Sequence, residues 1–184
     1  EQLNPLRTTT FGTGQLIQAA LTKNPSRIWL AIVGSATVDG GLGLAMALGW
    51  QFFDNQDQKV SLGGGELNRI SRMVPPGTLA LPPVDVLCDV DNPLCGERGA
   101  ARIFGPQKGA TANMVRQLDS GLHHLAELIR DRGGPDLLPL PGGGAAGGLG
   151  AGAVFFLNAR LVSGIDTLLA ICGLKEVLRA ADWV

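Results

Sequence analysis

The sequence is organised around the stretch Val84-Asp-Val-Leu-Cys-Asp-Val-Asp-Asn-Pro93. Its apolar residues, interrupted by Asp85, predict a short buried strand from Val84 to Val90. Such a strand carries Asp89 and Asp91 to its carboxyl end, where ligands bind in α/β proteins. Asn92-Pro93 then turns the chain out of the sheet, because proline has no N–H for the strand ladder. We therefore expect a functional site where this strand ends.

Charged residues are concentrated in the turn-rich segment that follows, which contains Arg98, Arg102 and Lys108. Asp89 and Asp91 are candidate Mg²⁺ ligands or a candidate general base, since Mg²⁺ prefers oxygen ligands. Arginine grips phosphate or carboxylate with two parallel hydrogen bonds, whereas lysine acts as a point charge. Local ion pairs and an Asx turn around Asn92 are an equally acceptable interpretation of the same residues.

Length and composition limit the class of protein. A chain of 184 residues fits one domain with a substantial core. A hydrophobic content of 45% argues against disorder, and a net charge of −1 leaves no field that would attract a nucleic acid. Three cysteines without metal-ligand spacing indicate reduced thiols in a cytosolic protein. We find no signal peptide and no apolar run of membrane-spanning length, so a soluble cytoplasmic protein without a membrane partner is expected.

Glycine is the main compositional departure, with 27 of 184 residues arranged in clusters. The nearly all-apolar segment Arg27 to Val33 predicts a strand in the centre of a sheet. It leads directly into Gly34-Ser-Ala-Thr-Val-Asp-Gly-Gly-Leu-Gly43 and then into a helical stretch. A strand, a glycine-rich turn and a helix point backbone N–H groups at an anion, although a tight turn that merely needs glycine is the alternative. The candidate anion-binding residues are Gly34, Ser35, Thr37 and Asp39.

Helices are predicted where apolar periodicity lies between capping and stop signals. The hydroxyl groups of Thr8 to Thr10 supply a cap for a helix that ends at Asn24-Pro25. Thr111 caps a second helix, which runs to about Arg132 and buries one leucine-rich face. The remaining expectations are helices over Val154–Leu157 and Ile165–Leu178, a strand over Gly49–Asp54, and another strand beginning at Asp182-Trp183-Val184. That unfinished end suggests a piece of a longer protein.

A second glycine cluster contains the pattern G-x-G-x-x-G at Gly142, Gly144 and Gly147. Dinucleotide binding requires a strand immediately before this pattern, and Pro139 and Pro141 prevent one. A P-loop is also excluded, because no glycine run ends in Lys-Ser or Lys-Thr. The cluster is therefore interpreted as a helix start that suits either a phosphate or close helix packing.

Four segments, taken in order along nearly the whole chain, resemble one family. They are Phe11-Gly-Thr-Gly-Gln-Leu16, Gly34-Ser-Ala-Thr-Val-Asp-Gly-Gly41, Cys88-Asp-Val-Asp-Asn-Pro-Leu94 with Gly99-Ala-Ala-Arg-Ile-Phe-Gly-Pro-Gln-Lys-Gly-Ala110, and Pro141-Gly-Gly-Gly-Ala-Ala-Gly-Gly-Leu-Gly150. Together they resemble the type I glycerate kinases, which phosphorylate D-glycerate with ATP. The order and spacing make the resemblance specific. The sequence departs from the family pattern at Val33 and Val38, where glycine and asparagine are usual.

The resemblance implies that residues 1–184 form a single α/β domain, a layered sheet with helices packed on it, like the second domain of these kinases. In the family a Rossmann-like partner domain, built from both ends of the polypeptide, faces this one across the active-site cleft. The Lys-Ser-containing N-terminal segment and the Thr-Gly-Glu-Gly-rich C-terminal segment of that partner domain are missing here. We therefore expect the chain to be inactive alone, with an exposed cleft surface that favours self-association into a homo-oligomer.

The resemblance also implies ATP and Mg²⁺ as cofactors and D-glycerate as the substrate, with the 2-phosphate as favoured product. Phosphoryl transfer asks a protein mainly for positioning and charge neutralisation. The expected catalytic residues are Asp89, Asp91 and Lys108, with both aspartates as Mg²⁺ contacts. The expected substrate- or phosphate-binding residues are Gly34, Ser35, Thr37, Asp39, Asn92, Arg98 and Arg102. A kinase for another small hydroxy acid and a non-catalytic binding module are the alternatives.

Lys108 carries the most specific expectation of this group. It lies between Gln107 and Gly109, where glycine lets the backbone turn and present the ammonium. We expect a surface position, at which Lys108→Ala weakens ligand binding but leaves the thermal midpoint of unfolding nearly unchanged.

Overall fold

The fold is built on two sheets in a computed structural model that describes residues 3–179. The larger sheet is parallel and has three strands in the order β1-β4-β5, which are Ile28–Ala31, Val84–Leu87 and Arg160–Val162. The smaller sheet pairs β2 (Gln51–Phe53) with β3 (Arg72–Val74) in antiparallel register. Parallel strands need crossover connections, and helices supply them here. The α/β class expected from the sequence is confirmed.

Helices and short 3₁₀ turns fill the connections between the strands. The helices are α1 (Phe11–Leu21), α2 (Leu42–Ala47), α3 (Ala100–Phe104), α4 (Ala112–Asp131), α5 (Ala145–Phe156), α6 (Gly164–Ile171) and α7 (Leu174–Arg179). The 3₁₀ turns are Gly64–Arg69 and Pro106–Lys108. Between Leu3 and Arg179 we find no helix that combines the length and the apolar character needed to cross a bilayer.

Strand β4, and not β1, occupies the centre of the parallel sheet. The predicted strand from Val84 to Val90 is confirmed at its start, but β4 ends at Leu87, so Asp89 follows its last residue by two positions. The prediction that Arg27 to Val33 forms a central strand is wrong, because β1 lies at the edge and its residues alternate between half-buried and exposed. Trp29 is 51% exposed, so the outer face of β1 is open in the part of the chain that the structure describes.

Asp85 explains the polar interruption in the central strand. Its carboxylate is buried between two arginines, with Arg160 Nη2 at 2.7 Å from Oδ1 and Arg27 paired with Oδ2. Burial acts to raise the pKa of Asp85, but the hydrogen bonds and charges of the two arginines outweigh it and lower the pKa overall. The polar residue in β4 is therefore compensated within the fold and belongs to the sheet rather than to a ligand site.

The helix predictions hold in part. Thr111 caps α4 by accepting a hydrogen bond from Met114 N, as expected. Leucines and Ile129 on its inner face enter the core, which forms between α4, α5 and the sheets. The single helix predicted over Ile165–Leu178 is wrong, because Gly173 adopts a left-handed φ of 63° and separates α6 from α7. The strand predicted at Asp182-Trp183-Val184 lies outside the described residues.

The second glycine cluster serves close packing at the start of α5. Gly147 has a φ of 72°, and a Cβ atom added there would lie 1.9 Å from the carbonyl oxygen of Thr37. Gly152 contacts Gly40 in a similar way, with a Cβ position 2.2 Å from the Gly40 oxygen. Because side chains cannot occupy these positions, the glycines bring α5 directly against the loop that follows β1.

Gly147→Ala is expected to destabilise the chain by at least about 2 kcal/mol, because the added methyl group meets backbone and the left-handed φ is strained. Urea unfolding followed by circular dichroism measures the change in the free energy of unfolding. Gly12→Ala is the matched control, since Gly12 lies in α1 with no atom within 4 Å of an added Cβ, and alanine favours a helix. Equal stability of Gly147→Ala and the wild type would contradict this account of the cluster.

Candidate active site

A cavity of about 250 Å³ opens where β1 and β4 end. Four residues selected from the sequence line it: Gly34, Ser35, Asp89 and Lys108. They come from the loop after β1, the end of β4 and the 3₁₀ turn Pro106–Lys108, and the start of α5 closes another side. This is the carboxyl edge of a parallel sheet, which is the usual ligand-binding edge of α/β proteins.

Lys108 is the cation of this cavity. Its ammonium donates hydrogen bonds of 2.8 Å to Ser35 Oγ and 2.8 Å to the carbonyl oxygen of Thr37. An ammonium has three N–H donors, so one remains after these two. Among the side chains that the structure describes, no carboxylate lies within 4.0 Å of Lys108. The residue is only 5% exposed, so a cation without an ion-pair partner in the described chain sits at the wall of a cavity.

Burial changes the acid–base behaviour of Lys108. It lowers the pKa of the ammonium from 10.5 to about 8, and the negative charge of Asp39 opposes that decrease. The expected surface position of Lys108 is therefore wrong. The sequence Gly105-Pro-Gln-Lys-Gly109 closes a tight turn, in which Gly109 has a φ of 88°, and this turn directs the lysine inward.

Asp89 joins the cavity to α6. Its Oδ1 accepts hydrogen bonds from Gly164 N at 2.8 Å and Ile165 N at 3.3 Å, at the amino end of that helix. A carboxylate is favoured there by the unpaired N–H groups and the helix dipole. Gly164 permits the approach, because a Cβ atom would lie 2.7 Å from Asp89 Oδ2. The carboxylate is thus held in place while the residue lines the cavity.

The other charged residues of the central segment lie elsewhere. Asp91 and Arg98 form an exposed ion pair at 3.1 Å, and Asn92 Nδ2 donates to the carbonyl oxygen of Arg98. Arg102 lies 3.7 Å from Asp119 on α4. None of these four predicted site residues lines the cavity. Their contacts agree with local ion pairing and turn formation, the alternative that the sequence left open.

Thr37 and Asp39 belong to the same loop as Ser35, but their side chains do not line the cavity. Thr37 offers its backbone carbonyl to Lys108. The Asp39 side chain is completely buried, and its carboxylate accepts hydrogen bonds from Thr10, Gly41 and Gly43. Burial raises the pKa of Asp39, and these hydrogen bonds act in the opposite direction. Asp39 therefore has no exposed surface with which to contact a phosphate group in this structure.

A second cavity of about 240 Å³ lies beside the first. The two share a wall made by Ile32, Val33, Ser35 and Ala146. Hydroxyl-bearing residues line the second cavity, namely Thr9, Thr10, Thr13, Ser35 and Thr37, and none of its lining residues within the described part of the chain is charged. The sequence suggested Thr9 and Thr10 only as a helix cap, and their place beside the site was not predicted, whereas Thr37 was already a candidate anion-binding residue.

The described residues do not form a complete metal site by themselves. In the part of the chain whose side chains the structure describes, no group of three or more histidine, cysteine, aspartate or glutamate residues is placed to hold a metal ion. Mg²⁺ in phosphoryl-transfer sites is commonly held by one or two carboxylates together with substrate phosphates. Asp89 fits that requirement as a single ligand in the cavity, whereas the ion pair of Asp91 with Arg98 lies outside it.

Comparison with known proteins identifies the family. The family model described as "Glycerate kinase family" matches residues 1–184. The chain belongs to the glycerate kinase family. A glycerate kinase of Haemophilus influenzae is 45% identical over 100% of this chain and 50% of its own length. The glycerate 2-kinase of Escherichia coli is 44% identical over 96% of this chain and 47% of its own length.

A solved structure of this family has the same fold. A protein assigned as glycerate kinase 2 of Salmonella typhimurium LT2 is 43% identical and matches with a TM-score of 0.90. The match covers 98% of this chain and 49% of the Salmonella chain. The resemblance drawn from the four sequence segments is therefore confirmed, and the chain spans about half the length of the glycerate kinases that it matches.

Proposed function

We propose that the polypeptide containing this chain transfers the γ-phosphoryl group of ATP to D-glycerate. The observation that carries the proposal is the buried Lys108 ammonium at the wall of the cavity, with no carboxylate within 4.0 Å among the described residues. A desolvated cation favours an anionic ligand strongly, because water does not screen the interaction. Glycerate offers a carboxylate, and ATP offers phosphates. Membership of the glycerate kinase family selects these anions from the many that would satisfy a lysine.

Asp89 supplies the carboxylate of the cavity, as Lys108 supplies its cation. Its Oδ1 is held by two backbone N–H groups of α6, which fixes the carboxylate where β4 ends. In the proposed reaction a glycerate hydroxyl oxygen bonds to the γ-phosphorus as the bond to the β-phosphate oxygen breaks, and the hydroxyl proton is released. Asp89 accepts that proton, or it would hold a Mg²⁺ ion, which would supply positive charge to neutralise the phosphates. The named activity of the Escherichia coli relative favours the 2-hydroxyl as acceptor.

The chain covers about half the length of the glycerate kinases that it matches, so the location of the complete active site must be considered. We propose that a second domain of the same polypeptide faces the cavity and completes the cleft. Closure of two domains excludes water and assembles phosphoryl-transfer sites in many kinases. Val33 and Val90, which line the cavity, are exposed, at 83% and 43%, as expected of a cleft wall that another domain covers.

The 184-residue chain produced alone is expected to unfold cooperatively but to show no glycerate kinase activity. It has a continuous apolar core, yet it lacks the part of the cleft that the proposal assigns to another domain. A coupled assay with ATP, Mg²⁺ and D-glycerate compares it with the longer polypeptide. Turnover by the short chain within about tenfold of the longer one would refute the two-domain proposal. Absence of turnover in the longer polypeptide would instead favour a non-catalytic binding module.

A further inference from the structure

The loop Ser35–Asp39 is held by two separate parts of the chain. Lys108 donates to Ser35 Oγ and to the carbonyl oxygen of Thr37. The segment Thr8–Thr10, hereafter the threonine clamp, holds the same loop at two other places. Thr8 Oγ1 donates to the carbonyl oxygen of Ala36 at 2.8 Å, and Thr10 donates to the carboxylate of Asp39. Neighbouring carbonyl groups of one short loop are therefore bound by the clamp and by the lysine.

Thr10 directly precedes α1, but it does not cap that helix as its position suggests. Its hydroxyl makes no capping bond to α1. The hydroxyl donates to Asp39 Oδ2 at 3.0 Å and accepts from Leu44 N in α2 at 2.9 Å, and Thr10 N also donates to Oδ2 at 2.8 Å. Thr10 is 4% exposed. Each of these bonds is buried, where the loss of a partner costs more than it does at the surface.

Asp39 links the threonine clamp to the cation of the cavity. It is fully buried, and its hydrogen-bond donors are the clamp and the N–H groups of Gly41 and Gly43. Its charge supports the protonated form of Lys108. Among the described residues, Asp89 is a second carboxylate near Lys108, because it lines the same cavity. Helix α3 contributes Phe104 to that cavity and α5 contributes Ala145 and Ala146, none of which is charged.

We propose that Thr10 is a positioning residue, which acts through Asp39 to hold the Ser35–Asp39 loop and the Lys108 ammonium at the cavity. Thr10 needs no contact with substrate for this role. The assignment to a phosphoryl-transfer reaction rests on the proposed function. The coupling rests on the hydrogen bonds of Thr10 to Asp39 and on the short loop that connects Asp39 to Ser35 and Thr37, which Lys108 binds. It can be measured without enzyme activity.

The test follows the titration of Lys108 by NMR in the 184-residue chain labelled with ¹³C at lysine Cε. The sequence contains the lysines Lys23, Lys59, Lys108 and Lys175, so the spectrum is simple, and Lys108→Arg assigns the signal. Asp39→Asn should lower the pKa of Lys108 by at least ~0.5, because the supporting negative charge is lost. Thr10→Val should shift it in the same direction by a smaller amount, since it removes the hydroxyl and keeps the side-chain shape. Thr10→Ser keeps the hydroxyl and should restore the wild-type value.

Thr22→Val is the matched control, because Thr22 is exposed and its hydroxyl donates to Ala19 O within its own helix end. An unchanged Lys108 titration in folded Asp39→Asn and Thr10→Val overturns the proposal, as does equal behaviour of Thr10→Ser and Thr10→Val. If Thr10→Val does not fold, the isosteric Asp39→Asn decides the outcome by the same criterion.

In the active polypeptide, Thr10→Val should lower kcat/KM about tenfold or more and move its alkaline limb to lower pH. If Asp39→Asn and Thr10→Val shift the pKa of Lys108 but the wild-type polypeptide shows no kinase activity, the positioning role of Thr10 stands and only the proposed function is refuted.

Discussion

Lys108→Met, introduced into the polypeptide that contains this chain, should lower kcat/KM for glycerate phosphorylation by about a hundredfold or more. Methionine keeps much of the apolar stem and removes the charge. The cavity then has no buried cation to offset the charge of a carboxylate or phosphate. A coupled spectrophotometric assay with ATP and D-glycerate measures the loss. Lys59→Met is the matched control, because Lys59 is exposed and does not line the cavity.

The pH dependence of the wild type supplies a second measurement of the same residue. The Lys108 ammonium has a pKa of about 8 in the folded chain, so kcat/KM should fall as the pH rises above about 8. The pKa of Lys108 in the folded chain lies below its ordinary value of 10.5. Between about pH 8 and pH 10.5 the unfolded chain therefore binds more protons at Lys108 than the folded chain does. The free energy of unfolding consequently increases as the pH rises through this range. Urea unfolding should therefore show wild type gaining stability relative to Lys108→Met between about pH 8 and 10.5. A pH-independent difference between the two, together with wild-type kinetics in Lys108→Met, would remove Lys108 from the site.

Asp89→Asn should lower kcat by about a hundredfold or more, with a smaller effect on KM. The substitution keeps the side-chain shape and an acceptor oxygen for Gly164 N, but it removes the charge needed to accept a proton or to hold Mg²⁺. Steady-state kinetics over a range of Mg²⁺ concentrations separate the two roles. A metal contact predicts partial recovery at high Mg²⁺, whereas a general base predicts none.

Asp91→Asn is the control for this experiment and should change kcat by less than about threefold, since surface ion pairs contribute little. The two aspartates are two positions apart, but Asp91 is exposed and paired with Arg98, away from the cavity. A large loss in Asp91→Asn with wild-type rates in Asp89→Asn would reverse the proposed assignment. Wild-type rates in both would exclude the central segment from catalysis.

Local sequence patterns determined several elements of this protein. The apolar run from Val84 predicts β4, and the Thr111 cap with apolar periodicity predicts α4, because both depend on side chains close together in sequence. The four glycine-rich segments in order were enough to identify the family, which the family model confirms over residues 1–184. The strand end at Asp89 also located the candidate site, since parallel sheets bind ligands at that edge.

Only the tertiary structure decided which of the candidate residues meet. Lys108 reaches Ser35 across 73 positions of sequence, and Asp89 reaches Gly164 across 75. The second contact depends on how closely α6 approaches the end of β4, and Gly164, which has no side chain, permits that approach. Arg98 and Arg102 have the same chemistry as a ligand-binding cation, yet they pair with Asp91 and Asp119 outside the cavity. Local patterns specify which elements form, whereas burial and the charge of a site arise from packing between distant segments, as the inward position of Lys108 shows.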